Sequence, residues 1–269
     1  MIFISSLLKY FIYFFYVLFM GRRHSIAARK ASWDAAKSRI YSIIGRKIQM
    51  AAKHGADPKM NPTLEMMLEK ARYHGLPRDV IDRAILKGSG QLEAEEMKEV
   101  FYEGYGPNGS AFLIKTITSN TNRTGSAVRT IFTKTWGTMA EIWAVSWQFQ
   151  EKGLIVIDGV SHKVIDKWRE IENVKPFDAD KLENEVMELA ISDVIIEGQT
   201  AEVYTDKADF ITVRKQIAEL GYHIAEADLH FFADNTVDLS GEDLEKFMKI
   251  LDALEEDDDV EKVYHNANL

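Results

Sequence analysis

The chain contains no cysteine, which excludes a disulfide scaffold, a thiolate zinc site and a cysteine nucleophile. Its seven histidines (His24, His54, His74, His162, His223, His230 and His265) show no HxxxH or HxH pairing, so nothing points to zinc. No GxxxxGK precedes a Ser or Thr, and no GxSxG occurs. The glycines of GYGPNG at 104–109 are not followed by a helix and read as a hairpin turn. The acidic run Glu255 to Asp259 lies at a predicted helix-to-strand turn without the spaced ligands that a hard metal needs. Enzyme is the least supported class, and no cofactor or metal is called for. With 46% hydrophobic and 28% charged residues, the 269 residues fit neither a disordered tail nor a fibrous repeat, and suit two or three domains.

Each part of the chain is short of one sign of charge. From Met20 to Gly90 fifteen Lys and Arg stand against six Asp and Glu; from Gln91 to Leu269 seventeen stand against thirty-six. The formal net charge of -9 conceals a basic module on an acidic body, as expected when one module touches a polyanion.

Long apolar runs are also scarce; the first is Met1 to Met20, broken by Lys9 and followed by Arg22 and Arg23. It is long enough to cross a bilayer. It makes a poor cleaved signal peptide, because the charge does not precede the apolar run and no small-residue cleavage pattern follows. Two readings of residues 1–19 stay open: a misread start, with translation beginning at Met20, and an anchor that leaves the Arg22 side in the cytoplasm.

Between Ala31 and His54 the residues Trp33, Ala36, Ile40, Ile43, Ile44, Ile48 and Ala51 recur at three- and four-residue steps and predict a helix. Arg39, Arg46 and Lys53 fall on one flank, about 10.5 Å apart, a row able to track phosphates. Arg22, Arg23, His24, Arg29 and Lys30 form a basic arm ahead of it, and Lys37 and Lys47 add to the excess. The plainer reading of such a row is a solvated helix face. Asn61 and Pro62 predict the cap and first turn of a second helix ending at Gly75, and Pro77 opens a third that stops at Gly88. Residues 20–90 thus form a basic three-helix bundle.

Beyond it, strands to Tyr105 and from Ser110 to Thr118 flank the turn, and Asn120 to Lys134 reads as a capped helix with Val128, Ile131 and Phe132 inward. Val145–Phe149 and Leu154–Ile157 read as two strands meeting across Glu151, Lys152 and Gly153. Polar helices are predicted over 163–171 and 179–189, strands over 194–197 and 202–205, and a helix over 207–220. The class is α+β, multidomain: the bundle followed by two α/β domains with mainly antiparallel sheets, the third inserted in the second. The expected divisions are 98–159 plus 227–269 for the middle domain and 160–226 for the insert.

Six segments in order carry a resemblance: HSIAARKASWDAAKSRIYS, LPRDVIDRAILKGSG, YEGYGPNG, NRT at 122–124, VSWQFQEKG, and DDVEKVYHN. The sequence resembles the YebC/PmpR family over Met20 to Asn266. That family comprises bacterial and organellar proteins described as transcriptional regulators and, for some members, as translational activators. The resemblance implies the three-domain fold and a start near Met20. Where the family commonly has Gly-His-Ser-Lys-Trp, this chain has Arg23, His24, Ser25 and Ile26. Trp143 stands where the family commonly has glycine, and a loop relying on glycine there is expected to change shape.

The reading that follows is a non-enzymatic, nucleic-acid-binding regulator, with DNA held by the basic domain. The alternatives are a translational activator on ribosomal RNA, tRNA or the ribosome, and a protein tethered to a membrane through residues 1–19. The location expected is the cytoplasm. Tyr102, Tyr105, Asn122 and Arg123 offer a second contact, by stacking on or bonding to RNA bases. The plainer reading packs Tyr102 in the sheet and makes Asn122 a helix cap.

Overall fold

The computed structural model describes residues 37–166 and 169–269, with backbone alone for 162–166 and 169–172. Helix α1 covers 37–52. It buries Ile44, Ile48, Ala51 and Ala52 against α2 (Pro62–Tyr73) and α3 (Arg78–Gly88), which contribute Leu64, Met67, Leu68, Ala71 and Ala84. Asn61 caps α2, its side chain accepting from the Leu64 N–H, while its amide donates to the carbonyls of Ala51 and Gly55 at 2.8 Å each. One short polar side chain therefore fixes the corner between α1 and α2.

The second unit is a four-stranded antiparallel sheet in the order β10-β2-β1-β3, made of β1 (Lys98–Tyr105), β2 (Ala111–Thr118), β3 (Thr138–Ala140) and β10 (Val260–His265). The turn at Pro107–Gly109 joins β1 to β2, where the glycine pattern placed it. Every residue of β2 is buried, because both faces of the sheet are covered. On one face Phe112 and Ile114 pack with α4 (Thr121–Lys134) and α7 (Gly241–Glu255), burying Val128, Phe132, Phe247, Ile250 and Leu254. Ala111, Leu113 and Tyr264 line the other with Val145 and Phe149.

The third unit is a five-stranded sheet: β4 (Phe149–Asp166), β5 (Arg169–Lys175), β6 (Asp193–Glu197), β7 (Thr200–Asp206) and β8 (Tyr222–Ala233), with α5 (Ala179–Met187) and α6 (Phe210–Glu219) packed on it. A small parallel pair joins β9 (Val237–Asp238) to β11 (Ala267–Asn268). The class is α+β and multidomain with mainly antiparallel sheets, as the sequence predicted.

Several local expectations need correction. Residues 149–157 form no hairpin: β4 runs unbroken for 18 residues. Gly153 serves close approach and not a turn, since a Cβ there would lie 2.3 Å from Thr205 Oγ1 and 2.5 Å from the Phe210 ring. The segment expected as a helix over 163–171 is instead a strand hairpin, with Val160 to Asp166 paired antiparallel to Lys175 to Arg169. β4 and β8 pair from Phe149↔Ala233 to Val160↔Tyr222. The sheet expected to occupy 160–226 therefore recruits strand residues from 149 to 233, and the chain enters and leaves it through one paired ribbon.

Candidate nucleic-acid interface

Of the five α1-region cations that the sequence singles out and the structure describes, Arg39, Arg46 and Lys53 lie on the predicted flank at seven-residue spacing, and that flank faces the acidic body. Arg39 Nη2 reaches the carbonyl of Val260 at 3.4 Å. Arg46 donates to the carbonyl of Ile117 at 2.6 Å, to Asp259 Oδ1 at 3.3 Å and to the carbonyl of Asp258. Lys53 Nζ sits 3.1 Å from Glu96 Oε1 and 3.1 Å from the carbonyl of Met97. Beside the row, Lys47 Nζ lies 2.8 Å from Asp228 Oδ2 and also pairs with Glu261. At Arg46 and Lys47 the body's own oxygens take up the donors, whereas Lys53 stays exposed beside its partners.

Two acidic centres organise the contact. Asp228, on β8, accepts from Lys47 and from Lys70 of α2, at 2.8 and 3.1 Å. Burial alone would raise its carboxyl pKa, but the two ammonium groups outweigh burial and hold it below the usual range. For Lys47 burial likewise opposes the charge, and Asp228 and Glu261 override it to hold the ammonium above its ordinary pKa. Asp259, just before β10, accepts from Thr124 Oγ1 and Arg123 Nη2 at 2.8 Å each, and from Arg46 on its other oxygen. Burial opposes its ionisation too, and the hydrogen bonds from Arg123 and Thr124 lower its pKa nonetheless. In the sequence the acids at 257–259 read as a turn, and Asp228 belongs to no motif that marks it. The seven-residue spacing marked the flank, but nothing in the spacing said which carboxylates would meet it.

The second group of candidates is dispersed. Tyr102 packs with the α4 and α7 core and donates to the carbonyl of Thr121 at 2.8 Å. Tyr105 donates to the carbonyl of Ala144 at 2.8 Å. The cap of α4 is Asn120, which accepts from the Arg123 N–H at 3.0 Å, so the capping role expected of Asn122 belongs two residues earlier. Asn122 is exposed in the first turn, and Arg123 is committed to Asp259. Arg22, Arg23, His24, Arg29 and Lys30, like residues 1–19, lie outside the described residues. Lys37 opens the described part of α1, exposed, with its ammonium 5.4 Å from the Tyr41 ring centre.

Beside Tyr105, the loop at 141–148 is held by one carboxylate. Glu103 is buried, and its carboxylate accepts from the N–H groups of Trp143 (2.9 Å), Val145 (2.6 Å) and Ser146 (3.1 Å). Burial would raise its pKa, and those bonds lower it. Trp143 itself takes the left-handed φ of 73° that glycine would favour, and Trp136 takes 62°. The strain of that conformation is borne at Trp143, which is 75% exposed.

A family model for the TACO1/YebC N-terminal domain matches residues 22–91, and one for the TACO1/YebC second and third domain matches 97–267. The chain belongs to the TACO1/YebC family. A TACO1/YebC relative from Dictyoglomus turgidum, named a "Probable transcriptional regulatory protein", is 39% identical over 246 residues, covering 91% of this chain and 93% of the relative. A similarly named protein of Thermoanaerobacter pseudethanolicus is 37% identical, with coverages of 91% and 94%. The crystal structure of a conserved hypothetical protein of Aquifex aeolicus is similar to this fold, with a TM-score of 0.75 and 33% identity over 87% of this chain and 91% of that one. Among the described residues no helix is long and apolar enough to cross a membrane.

Proposed function

We propose that this TACO1/YebC chain is a non-enzymatic, nucleic-acid-binding regulator of gene expression whose basic head meets the phosphate backbone of DNA. The observation that carries the reading is the charge division: nine Lys and Arg against one acid from Gly21 to Lys53, on a body where acids outnumber bases two to one. Relatives named as transcriptional regulators support it. With Arg39, Arg46, Lys47 and Lys53 turned to the body, first contact falls to Arg22, Arg23, His24, Arg29, Lys30 and Lys37.

One observation favours RNA as a second reading, with ribosomal RNA, tRNA or the ribosome as partner. A major-groove reader needs a helix free to enter the groove, whereas α1 is covered on one side by α2 and α3 and on the other by the body. Such a head grips phosphates and does not read base edges. The membrane-tether reading rests on residues 1–19 alone, and the cytoplasm is the location that suits the other two.

The test is binding of the full chain to labelled mixed-sequence duplex DNA and to a structured RNA over a salt series. The logarithm of affinity should fall linearly with the logarithm of salt, and replacing Arg22, Arg23, Arg29, Lys30 and Lys37 with Gln should flatten the slope. Absence of binding to either polymer in dilute buffer would overturn the reading.

A further inference from the structure

The flank of α1 that touches the body has the donors of a phosphate-binding surface and is covered by groups that imitate phosphate. Arg46 spends its fork on two backbone carbonyls and one carboxylate, and Lys47 lies between two carboxylates. Phosphate oxygens offer guanidinium and ammonium groups the same acceptor chemistry. Arg39, Arg46 and Lys53 repeat every seven residues, about 10.5 Å along the axis, and each is met by a carbonyl or carboxylate of the body.

A second observation concerns what is missing between the two parts. Among the described residues the bundle buries one apolar cluster and the body three, and Met66 of α2 is the side chain that packs against clusters of both. The contact is thus held mainly by ion pairs and hydrogen bonds rather than by a shared core. Polar interfaces between domains of one chain permit relative motion. Along its edge the contact is already open: a groove of about 490 Å³ runs between α1 and β10, with Arg39, Lys47, Lys70 and Lys262 at its walls.

We propose that the body-facing flank of α1 is a covered nucleic-acid surface, closed by Asp228, Asp259 and Glu261 and exposed when the body moves off the helix to let phosphates take their places. This rests on the nucleic-acid reading above and adds its regulation. In the closed state the acids compete for the cations; in the open state phosphates satisfy Arg46 and Lys47, and the released carboxylates are hydrated. A polyanion drives the change because it binds the open form in preference to the closed one.

The experiment measures fluorescence anisotropy of a labelled mixed-sequence RNA hairpin and DNA duplex with the full chain over a salt series. The variant Asp228→Asn/Asp259→Asn/Glu261→Gln should bind at least about tenfold more tightly, with a salt slope steeper by about two, one each for Arg46 and Lys47 on the flank of α1. Adding Arg46→Gln and Lys47→Gln should remove the gain. An unchanged slope, or a gain that survives those two changes, overturns the proposal while leaving the nucleic-acid reading intact. Failure of every chain to bind sinks both. Should the triple variant fail to fold, carbodiimide labelling of carboxylates on the unsubstituted chain decides: bound nucleic acid should raise labelling of Asp228 and Glu261, and lower or unchanged labelling there overturns the proposal.

Discussion

Lys47 and Asp228 meet at 2.8 Å across the junction of the bundle and the five-stranded sheet, with side chains only 11% and 16% exposed. A buried pair of this kind adds little by existing and costs much to break. Lys47→Met should therefore destabilise the chain by about 3 kcal/mol, because Asp228 and Glu261 lose a partner they cannot replace with water. Urea unfolding measures it, and a loss below about 1 kcal/mol, typical of exposed pairs, would show the contact to be solvated in practice.

His230 gives the stability a pH dependence of its own. It lies on β8 with Nε2 2.8 Å from Lys262 Nζ, and burial, then the Lys262 charge, lower its pKa from 6.5 to about 4. The unfolded chain takes up a proton below pH 6.5 while the folded one resists, so stability should fall as pH drops from about 6.5 to about 4. Below pH 3.8 the loss continues as Asp228, held low in the fold, is protonated. His230→Gln should flatten the upper part of this profile and leave the lower part; an unaltered profile between pH 6.5 and 4 would place the titration elsewhere.

Glu103→Gln keeps shape and removes charge. The amide offers one acceptor oxygen where the carboxylate serves three N–H groups, so at least one buried donor is left unmet. A cost of about 2 kcal/mol is expected, together with faster proteolysis at 141–148. Wild-type resistance of that loop would show that Tyr105 and the sheet hold it without Glu103.

Trp143→Gly should raise the melting temperature. A left-handed φ costs a non-glycine residue about 1–2 kcal/mol, against about 0.4–1 kcal/mol for glycine's extra freedom when unfolded. The N–H bond to Glu103 is retained. Trp136→Gly should gain less, because Trp136 carries the Lys249 ammonium 5.4 Å from its ring. A lower melting temperature for Trp143→Gly would mean that the exposed indole makes a contact worth more than the strain.

Where chemistry is local, the sequence was readable. Asn61 with Pro62 and the turn at 107–109 lie where their side chains or φ values demand. The flank of Arg39, Arg46 and Lys53 was legible as geometry, since helical periodicity dictates it. What that flank touches was not, because a carboxylate more than two hundred residues away leaves no mark on the spacing. Gly153 shows the same limit: a glycine that opens a turn and one that admits a phenylalanine ring read alike, and the ring belongs to Phe210, on a later helix.

The left-handed backbone at 136 and 143 makes these two positions the places where this fold has the most to gain from a smaller residue. Glycine at both positions would relax the backbone and leave the Glu103 clasp unchanged, since that clasp grips main-chain N–H groups and no side chain of the loop.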